Sequence, residues 1–437
     1  MEWLTAFLLI IGGLIVILLL GFPVAFGFLL VDVIGIFFLM GTAGLEVITL
    51  HIHTSLSSFV ISPVPMFILM GELMFHSNLA TDTLDVLDRW LHRIPGRLSI
   101  LAATSGTIFA ATSGATMANT AMLGTVLLPE MRKRGYSTFM SVGPIIGVGG
   151  LAMLIPPSAL GVLFASIAEI SVGDVLLAGV IPGLILGGMF CAFIIIYALW
   201  KPSSAPSFRT EATPLLTKLY LTAKYLLPVA FIIFMVLGLI ILGVATPTEA
   251  AATGVAATML VNILYRRFNW KMLKASLKGS LEVTAMVFII IAASKTFSSL
   301  LAFTNATDGL VDLIKGVAVH PIFILLFMQV IVAFMGCLMD PLSIMMITLP
   351  VFMPISAGLG FDPIWFAVLM LINLEMGQMT PPFGMLIFVM QGVAPKDVRY
   401  EQIVWATVPY MIFDIIIMAM LIKWPLIALW LPKVVGD

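Results

Sequence analysis

Charged residues are scarce in this chain, and their scarcity settles its class. Of 437 residues only 10% are Asp, Glu, Lys or Arg, whereas 61% are hydrophobic and the mean hydropathy is +1.17. Soluble globular chains carry about 25% charged residues, so that class is excluded. Apolar runs of about 20 residues recur, which is the length that crosses a hydrocarbon core of roughly 30 Å. The composition predicts an all-α polytopic protein of the lipid bilayer.

Other absences exclude chemistry. Only two cysteines occur, Cys191 and Cys337, and both lie in apolar segments, which is typical of small buried residues. His51 and His53 are expected in a loop rather than as a metal-binding pair. No HExxH, GxSxG or GxxxxGK[ST] sequence is present, so the motifs of zinc peptidases, serine hydrolases and nucleotide-binding loops are missing. We expect no enzymatic activity, no nucleic-acid partner, and an ion gradient rather than ATP as the energy source.

What the chain does contain is an internal repeat. The sequences IPP (155–157) and TPP (380–382) lie 225 positions apart, and the same offset places Pro129 on Pro354. An ordered series of matches at a near-constant offset indicates duplication.

Each half divides into the same series of predicted elements. The apolar spans are 3–20, 22–40, 52–76, 138–168 and 175–199, then 219–243, 247–265, 281–301, 363–392 and 404–431. The amphipathic stretches are 81–96 and 308–318, and the polar-tipped hairpins are 97–131 and 320–356. The first amphipathic stretch is expected along the cytoplasmic interface, or packed on a partner subunit. A polar Pro/Ser-rich linker, 201–217, joins the first repeat (1–200) to the second (218–437).

The basic residues sort to one side of the membrane if both hairpins are re-entrant. Each half then has five crossings, an odd number, so the two repeats have opposite orientation. One side receives 17 of the 21 Lys and Arg residues: Arg89, Arg93, Arg97, Arg132, Lys133, Arg134, Lys201, Arg209, Lys218, Lys224, Arg266, Arg267, Lys271, Lys274, Lys278, Lys396 and Arg399. Because basic loops remain in the cytoplasm, that side is cytoplasmic, the linker is cytoplasmic and both termini are periplasmic.

Four sequences interrupt helices at membrane depth. Two are hairpin tips, TSGATMANT (112–120) and MGCLMDPLS (335–343), and two are Pro-Pro breaks, GGLAMLIPPS (149–158) and EMGQMTPPFG (375–384). A helix end leaves up to four backbone groups unpaired, and at membrane depth these persist only inside protein or beside a wet cavity. Inverted repeats with broken helices are typical of secondary transporters. We therefore expect two sites, each formed by a tip and a break; simple proline kinks among small packing residues are the alternative.

These motifs, with FILMGELM (67–74), PEMRKRGYS (129–137) and MDPLSIMMITLPVFMPI (339–355), carry a resemblance that spans nearly the whole chain. The chain resembles the large membrane subunit of tripartite ATP-independent periplasmic (TRAP) transporters, in the ion-transporter superfamily. The resemblance implies a sodium symporter of the bacterial inner membrane that imports a small organic acid, such as a C4-dicarboxylate or sugar acid. It also implies an elevator mechanism, with a rigid scaffold and a moving transport domain.

The same resemblance implies two partners, a small four-helix membrane subunit and a periplasmic substrate-binding protein. The chain begins directly at the first repeat, so the small subunit is expected as a separate polypeptide. The alternative function is a single-component ion or anion transporter, or a sodium/proton antiporter, of the same superfamily.

The resemblance further implies at least two coupling sodium ions, held largely by backbone oxygens. The first site would use Ala110, Ser113, Ala152, Ile155 and Pro157, and the second Ala333, Gly336, Gly377, Thr380 and Phe383. Position 152 carries alanine where the family pattern has glycine. The substrate would lie between the tips, with candidate contacts Ser113, Thr116, Asn119, Asp340, Ser343, Thr380 and Lys295.

Ionisable residues within predicted spans or tips are functional candidates, because charge at membrane depth is costly. They are Glu72, Lys295, Asp340 and Glu375. Lys295 could supply the counter-charge for an anionic substrate; a Glu72–Lys295 pair or a lysine that reaches the membrane surface is the alternative. Asp340 precedes a proline at a helix start, so an N-cap role is equally open.

Overall fold

The computed structural model describes residues 2–77, 79–92, 94–206, 213–316 and 319–436. Within these ranges the chain is helical, without a β-strand. Arg93 and Arg209, two members of the predicted cytoplasmic set, lie outside the described residues. Six helical segments of the described chain are long and apolar enough to cross a membrane: Phe59–His76, Val172–Trp200, Leu215–Ile241, Trp270–Phe303, Pro341–Gly358 and Tyr400–Lys423. The protein is an all-α polytopic membrane protein, as its composition predicts.

The helices of the first half are α1 (Trp3–Leu19), α2 (Val24–Met40), α3 (Ala43–Leu56), α4 (Pro63–His76), α5 (Leu79–Trp90), α6 (Arg97–Ser113), α7 (Thr116–Lys133), α8 (Thr138–Gly150), α9 (Ala159–Ala168) and α10 (Val172–Trp200). Those of the second half are α11 (Leu215–Ile241, with two π-helical turns), α12 (Pro247–Leu264), α13 (Trp270–Phe303), α14 (Ala306–Gly316), α15 (Pro321–Gly336), α16 (Pro341–Gly358), α17 (Pro363–Met379), α18 (Met385–Val393), α19 (Tyr400–Lys423) and α20 (Leu426–Gly436).

Polar side chains at the helix starts explain many of these boundaries. Ser158 begins α9 by accepting a hydrogen bond from the Gly161 N–H, and Asn269 begins α13 by accepting one from the Met272 N–H. At α12 a capping box joins Thr246 and Glu249 reciprocally. Such caps satisfy N–H groups that would otherwise lack partners in the first turn of the helix.

Three predicted spans have different boundaries in the structure. The span 52–76 is wrong, because α3 ends at Leu56 and the crossing segment starts at Phe59; His51 and His53 therefore lie in a helix, not in a loop. The span 404–431 is also wrong, because α19 ends at Lys423, immediately before Trp424 and Pro425. Proline removes an N–H donor and disfavours helical backbone in the residue before it.

The span 281–301 proves to be the central part of a longer helix, α13, which has 34 residues. At 1.5 Å per residue it is about 51 Å long, so it extends well beyond a bilayer core. Its first turns carry the predicted cytoplasmic residues Lys271, Lys274 and Lys278. The amphipathic stretch 81–96, by contrast, is helical only to Trp90, ahead of Pro95 and the left-handed Gly96.

From the hairpin onward, the order of elements is the same in both halves up to the long helix. Each half has a helical hairpin (α6–α7 and α15–α16), then a broken pair (α8–α9 and α17–α18), then a long helix (α10 and α19). The Pro156–Pro157 and Pro381–Pro382 peptide bonds are both cis.

Packing divides the helices into two sets. In the first, called the support group (α1–α5 and α11–α14), α13 packs against α2, α3 and α4, and α4 also packs against α12. In the second, called the tip group (α6–α10 and α15–α20), α6 and α7 pack on α8, α8 packs on α19, and α15 packs on α17. The two groups meet where α4 contacts α6 and α9, α5 contacts α6, α13 contacts α9 and α16, and α14 contacts α16, so both hairpins lie at this meeting surface.

Ion pairs link helix ends that the sequence assigns to the cytoplasmic side. Arg97, at the start of α6, donates from Nε to Asp88 Oδ1 of α5 at 2.6 Å. Arg267, between α12 and α13, pairs with Asp82 at the start of α5. Arg132, at the end of α7, pairs with Asp397, between α18 and α19. All three pairs join positions that the charge pattern places on one side.

Candidate functional site

The first hairpin tip touches the first Pro-Pro break. Helix α6 ends at Ser113, and Gly114 turns the chain with φ +60° while its N–H donates to the Ala110 carbonyl oxygen at 3.2 Å. A Cβ atom on Gly114 would lie 2.9 Å from the Pro157 carbonyl oxygen. Both the left-handed backbone and this close approach require glycine. The tip and the break therefore meet through backbone atoms.

The first break consists of a tightened turn and an irregular segment. After α8 ends at Gly150, a 3-10 turn spans Leu151–Met153, and α9 begins at Ala159. Ser158 Oγ donates to the Met153 carbonyl oxygen at 2.5 Å, which fixes the break from its far end. Ala152 and Ile155, two residues nominated from the sequence, lie buried within this segment.

The second tip meets the second break even more closely. A Cβ on Gly336, the last residue of α15, would lie 2.5 Å from the Cα of Gly377 in α17, and the reverse distance is 2.7 Å. Beyond α17, the Thr380 N–H donates to the Gly377 carbonyl oxygen at 3.1 Å. Gly384 lies so close to the carbonyl oxygens of Gln378 and Thr380 that its Cβ would be 2.7 Å and 2.9 Å from them. Backbone oxygens therefore gather at this junction.

Two other residues nominated for the second ion site lie at its edges. Ala333 is half-buried, one turn before Gly336 on α15. Phe383 is exposed and its ring stacks with that of Phe388 at a centroid distance of 6.4 Å. If Phe383 contributes to an ion site, its backbone and not its ring would face the junction.

Backbone and hydroxyl oxygens are available as ligands at both junctions, and the Glu375 carboxylate lies beside Gly150 at the first break. Among the described residues, no group of three or more His, Cys, Asp or Glu side chains is placed to bind a metal. Carbonyl oxygens at broken helix ends are hard ligands of the kind that small hard cations prefer. The Ser113 side chain, nominated for the first junction and for the substrate, lies outside the described side chains.

A cavity of about 190 Å³ lies between the two tips. Its walls come from both groups of helices: Val64 and Ile68 of α4; Thr116 and Met117 of the first tip; Ala159, Leu160 and Leu163 of α9; Val283, Met286 and Val287 of α13; Asp340, Pro341 and Leu342 of the second tip; and Gln378 and Met385 at the second break. The cavity therefore touches both tips, the second break, and α9, which begins directly after the first break.

Its polar groups are few and connected. Thr116 Oγ1 donates to Gln378 Oε1 at 3.1 Å, which ties the first tip to the second break. Asp340 caps α16: its Oδ1 accepts from the Ser343 N–H at 3.0 Å, and Ser343 Oγ donates to its other carboxylate oxygen. The predicted N-cap role of Asp340 is confirmed, and the same residue lines the cavity.

The remaining substrate candidates lie away from the lining. Asn119 is buried and donates from Nδ2 to the Gly106 carbonyl oxygen at 3.1 Å, so it joins the two arms of the first hairpin. Ser343 is buried against Asp340, and Thr380 Oγ1 donates to the Met376 carbonyl oxygen at 2.8 Å. The hydrogen bonds of these three residues stabilise the conformation of the tips and of the second break.

Lys295 is also outside the lining. Its Nζ lies 2.7 Å from Glu169 Oε1, at the end of α9. The Glu72–Lys295 pair considered from the sequence is wrong: Glu72 Oε2 lies 3.4 Å from His76 Nδ1, one turn along α4, and its carboxylate packs against Gly279 of α13. A repeat offset gives approximate positions along a chain, not the direction of a side chain.

Two kinds of residue were missed by sequence reasoning. Gln378 lies inside the Pro-Pro motif and was not nominated, although an amide in an apolar run beside a helix break is itself a signal. Asp32 and Asp414 are fully buried, and their carboxylate oxygens have no hydrogen-bond partner among the described residues; the same is true of Glu375. Single acids within long apolar helices mark such positions.

Known proteins of one family match this chain throughout. The model of the tripartite ATP-independent periplasmic transporter family, DctM component, matches residues 11–427. The chain is 30% identical to the ectoine TRAP transporter large permease protein TeaC of Halomonas elongata, over 97% of this chain and 98% of TeaC. It is 27% identical to the C4-dicarboxylate TRAP transporter large permease protein DctM of Rhodobacter capsulatus, over 98% and 99%.

Two solved transporters share the fold at low sequence identity. The YdaH transporter of Alcanivorax borkumensis superposes with a TM-score of 0.64 at 13% identity, covering 90% of each chain. MtrF of Neisseria gonorrhoeae superposes with a TM-score of 0.61 at 14% identity, covering 90% of this chain and 85% of MtrF. The family match over nearly the full length decides the assignment: this chain belongs to the TRAP transporters, as their DctM component, the large membrane subunit.

Proposed function

We propose that this protein carries a small organic acid across the bacterial inner membrane by sodium symport with an elevator mechanism. Membership of the family makes it a membrane transporter subunit that imports organic substrates, with a periplasmic binding protein and a small membrane subunit as partners. One observation carries the finer proposal: a single cavity is flanked by two junctions at which a hairpin tip meets a broken helix.

The two junctions support coupling to sodium. At the first, Gly114 of the tip approaches the Pro157 carbonyl oxygen. At the second, Gly336 of the tip approaches the Gly377 backbone, and the carbonyl oxygens of Gln378 and Thr380 lie close to Gly384 of the same break. Such oxygens would bind a small cation without a fixed negative charge. Carbonyl groups without a partner are costly at membrane depth because no water is present to hydrogen-bond to them. A bound cation would lower this cost by accepting the carbonyl oxygens as ligands.

The walls of the cavity support the elevator mechanism. Residues of α4 and α13 belong to the support group, whereas the tips and α9 belong to the tip group. If the tip group moves as a body against the support group, it carries the tips, the ions and the substrate together from one face of the membrane to the other.

The start of α7 supports an anionic substrate. Thr116, its first residue, and Met117 line the cavity, so the N–H groups of the first helical turn lie at its wall. Helix N-termini favour carboxylates and other anions. At the second tip Asp340 already accepts from the first turn of α16, so the two ends of the cavity differ in charge. Ectoine and C4-dicarboxylates, named for the relatives, are the first compounds to test.

The ion pairs at helix ends support the orientation proposed for the chain. Three pairs connect predicted cytoplasmic positions, whereas both termini fall on the other side under the same scheme. We therefore place the linker in the cytoplasm and both termini in the periplasm, where the binding protein would deliver the substrate.

Reconstitution tests the proposal. The protein, its four-helix partner and its binding protein are placed in proteoliposomes, and uptake of radiolabelled succinate and ectoine is measured with a sodium gradient and with potassium in its place. We expect uptake of at least one compound that requires both the sodium gradient and the binding protein. Uptake that is unchanged in potassium would refute sodium symport. Sodium-driven proton flux by the chain without its partners would instead favour the antiporter alternative.

A further inference from the structure

The Lys295–Glu169 ion pair joins the two groups of helices beside the cavity, whereas the Arg97–Asp88 pair joins α6 to α5 on the proposed cytoplasmic side. Lys295 belongs to α13 in the support group, and Glu169 terminates α9 in the tip group; their Nζ and Oε1 atoms are 2.7 Å apart. The Lys295 side chain is 23% exposed and the Glu169 side chain 68% exposed. The Lys295 side chain is therefore largely shielded from solvent, whereas the Glu169 side chain is mostly accessible to it.

The pair lies beyond the cavity along both helices. On α9, Leu163 lines the cavity, and Glu169 follows six residues later, roughly 9 Å along the chain. On α13, Val287 lines the cavity, and Lys295 follows eight residues later, roughly 12 Å further along the helix. Because both helices run from the cavity wall to the pair, Lys295 and Glu169 join the two helices beyond one end of the cavity.

That end is the proposed periplasmic one. Helix α13 starts at Trp270, three residues after Arg267, which pairs with Asp82 on the proposed cytoplasmic side. Lys295 lies near the other end of the same helix. Glu169 has left-handed backbone, φ +56°, and its N–H donates to the Ala165 carbonyl oxygen, so the helix stops here and the side chain reaches α13.

We propose that the Lys295–Glu169 pair is a latch, which holds α9 against α13 and keeps the cavity closed to the periplasm in this arrangement of the two groups. The proposal rests on the elevator function above, because a latch between two groups matters only if they move. Movement of the tip group would separate the charges, so the pair stabilises one position of the tip group and not the other. In this proposal Lys295, a lysine within a predicted span, has a role that does not require contact with substrate.

A cysteine reporter tests the latch without any substrate. Cys191 and Cys337 are replaced by alanine, and Val287→Cys is introduced, since Val287 lines the cavity and is buried. Spheroplasts expose the periplasmic face to a membrane-impermeant maleimide, and the labelling rate is measured. Variants that elute as a single symmetric species in detergent are compared.

The charge variants have defined expectations. E169Q and K295Q should raise the labelling rate by up to about fivefold, the population shift that corresponds to an exposed ion pair. The charge swap E169K/K295E should return the rate to that of the reporter parent. K278Q is the matched control: it removes the Lys278–Glu282 pair, which lies within α13 alone and is exposed at both residues, so the rate should not change.

The outcomes separate the latch from the proposed function. Equal labelling of E169Q and its parent would overturn the latch, and so would rapid labelling of the charge swap, because the sign of each charge would then be irrelevant. The same parent is also labelled with and without sodium. A rate that responds to sodium while E169Q has no effect leaves the elevator proposal standing and removes only the latch. An effect of E169Q seen in everted vesicles instead of spheroplasts would support the latch and refute the proposed orientation.

Discussion

Replacing Gly336 by alanine should separate the second tip from its break. The new Cβ would lie 2.5 Å from the Cα of Gly377, whereas ordinary contact starts at 3.4 Å, so the two backbones must part by about 0.9 Å. The obstructing atom belongs to the backbone, so no side-chain rotation can relieve the overlap. Overpacking of this kind costs about 1–3 kcal/mol, which lowers the population of the closed junction by about fivefold to about a hundredfold.

Sodium-dependent thermal stability measures this change in the purified protein. A ligand that binds only the folded state stabilises it by about 2.7 kcal/mol at a hundred times its Kd. We expect the parent to melt at a higher temperature in sodium chloride than in potassium chloride, and Gly336→Ala to need much more sodium for the same shift. Gly392→Ala is the control, because a Cβ there meets no atom within 4 Å.

Two results would contradict an ion site at this junction. If Gly336→Ala lowered the melting temperature equally in both salts, with an unchanged sodium dependence, the tip–break contact would be a packing contact and not part of an ion site. If Gly392→Ala behaved like Gly336→Ala, glycine content in general, and not the junction, would explain the effect.

Three further predictions concern the cavity and the topology. Asp340→Asn should keep the cap and the melting temperature, whereas Asp340→Ala should lose about 1 kcal/mol of stability; equal melting temperatures would show that the cap does not stabilise the fold. A double-mutant cycle of Thr116→Val and Gln378→Leu, measured by thermal unfolding, should give a coupling of about 1 kcal/mol, and additive effects would contradict a direct hydrogen bond. In the cysteine-free background, an impermeant maleimide should label Lys315→Cys but not Lys133→Cys in spheroplasts; the reverse pattern would invert the topology.

The sequence was informative about breaks because they are made of residue types that the backbone requires. Both Pro-Pro sequences do interrupt helices, and both tips do end one helix and begin another, at Ser113 and Thr116 and at Gly336 and Pro341. Proline cannot donate an N–H, and glycine tolerates left-handed backbone. The interruption of a helix by these residues is therefore a local effect that the sequence predicts.

Side-chain partners were less predictable because they depend on packing between distant segments. Lys295 was assigned to the substrate, to Glu72 or to the membrane surface, yet Glu169 is its partner, 126 residues earlier in the chain. Gln378 reaches Thr116 across 262 positions. The helix end at Lys423 was misplaced for a different reason: apolar character continues through Trp424 and Leu426, although Pro425 stops the helix.

The hydrogen bond between Thr116 and Gln378 has a consequence for how ions and substrate act together. It joins a residue of the first tip to a residue of the second break, so the two junctions are linked directly by a hydrogen bond. An ion that orders one junction reduces the conformational freedom that the other must lose on binding, and the effect is reciprocal by thermodynamic linkage. If sodium occupies both junctions as proposed, its binding should be cooperative, with a Hill coefficient above one that falls toward one when this hydrogen bond is removed.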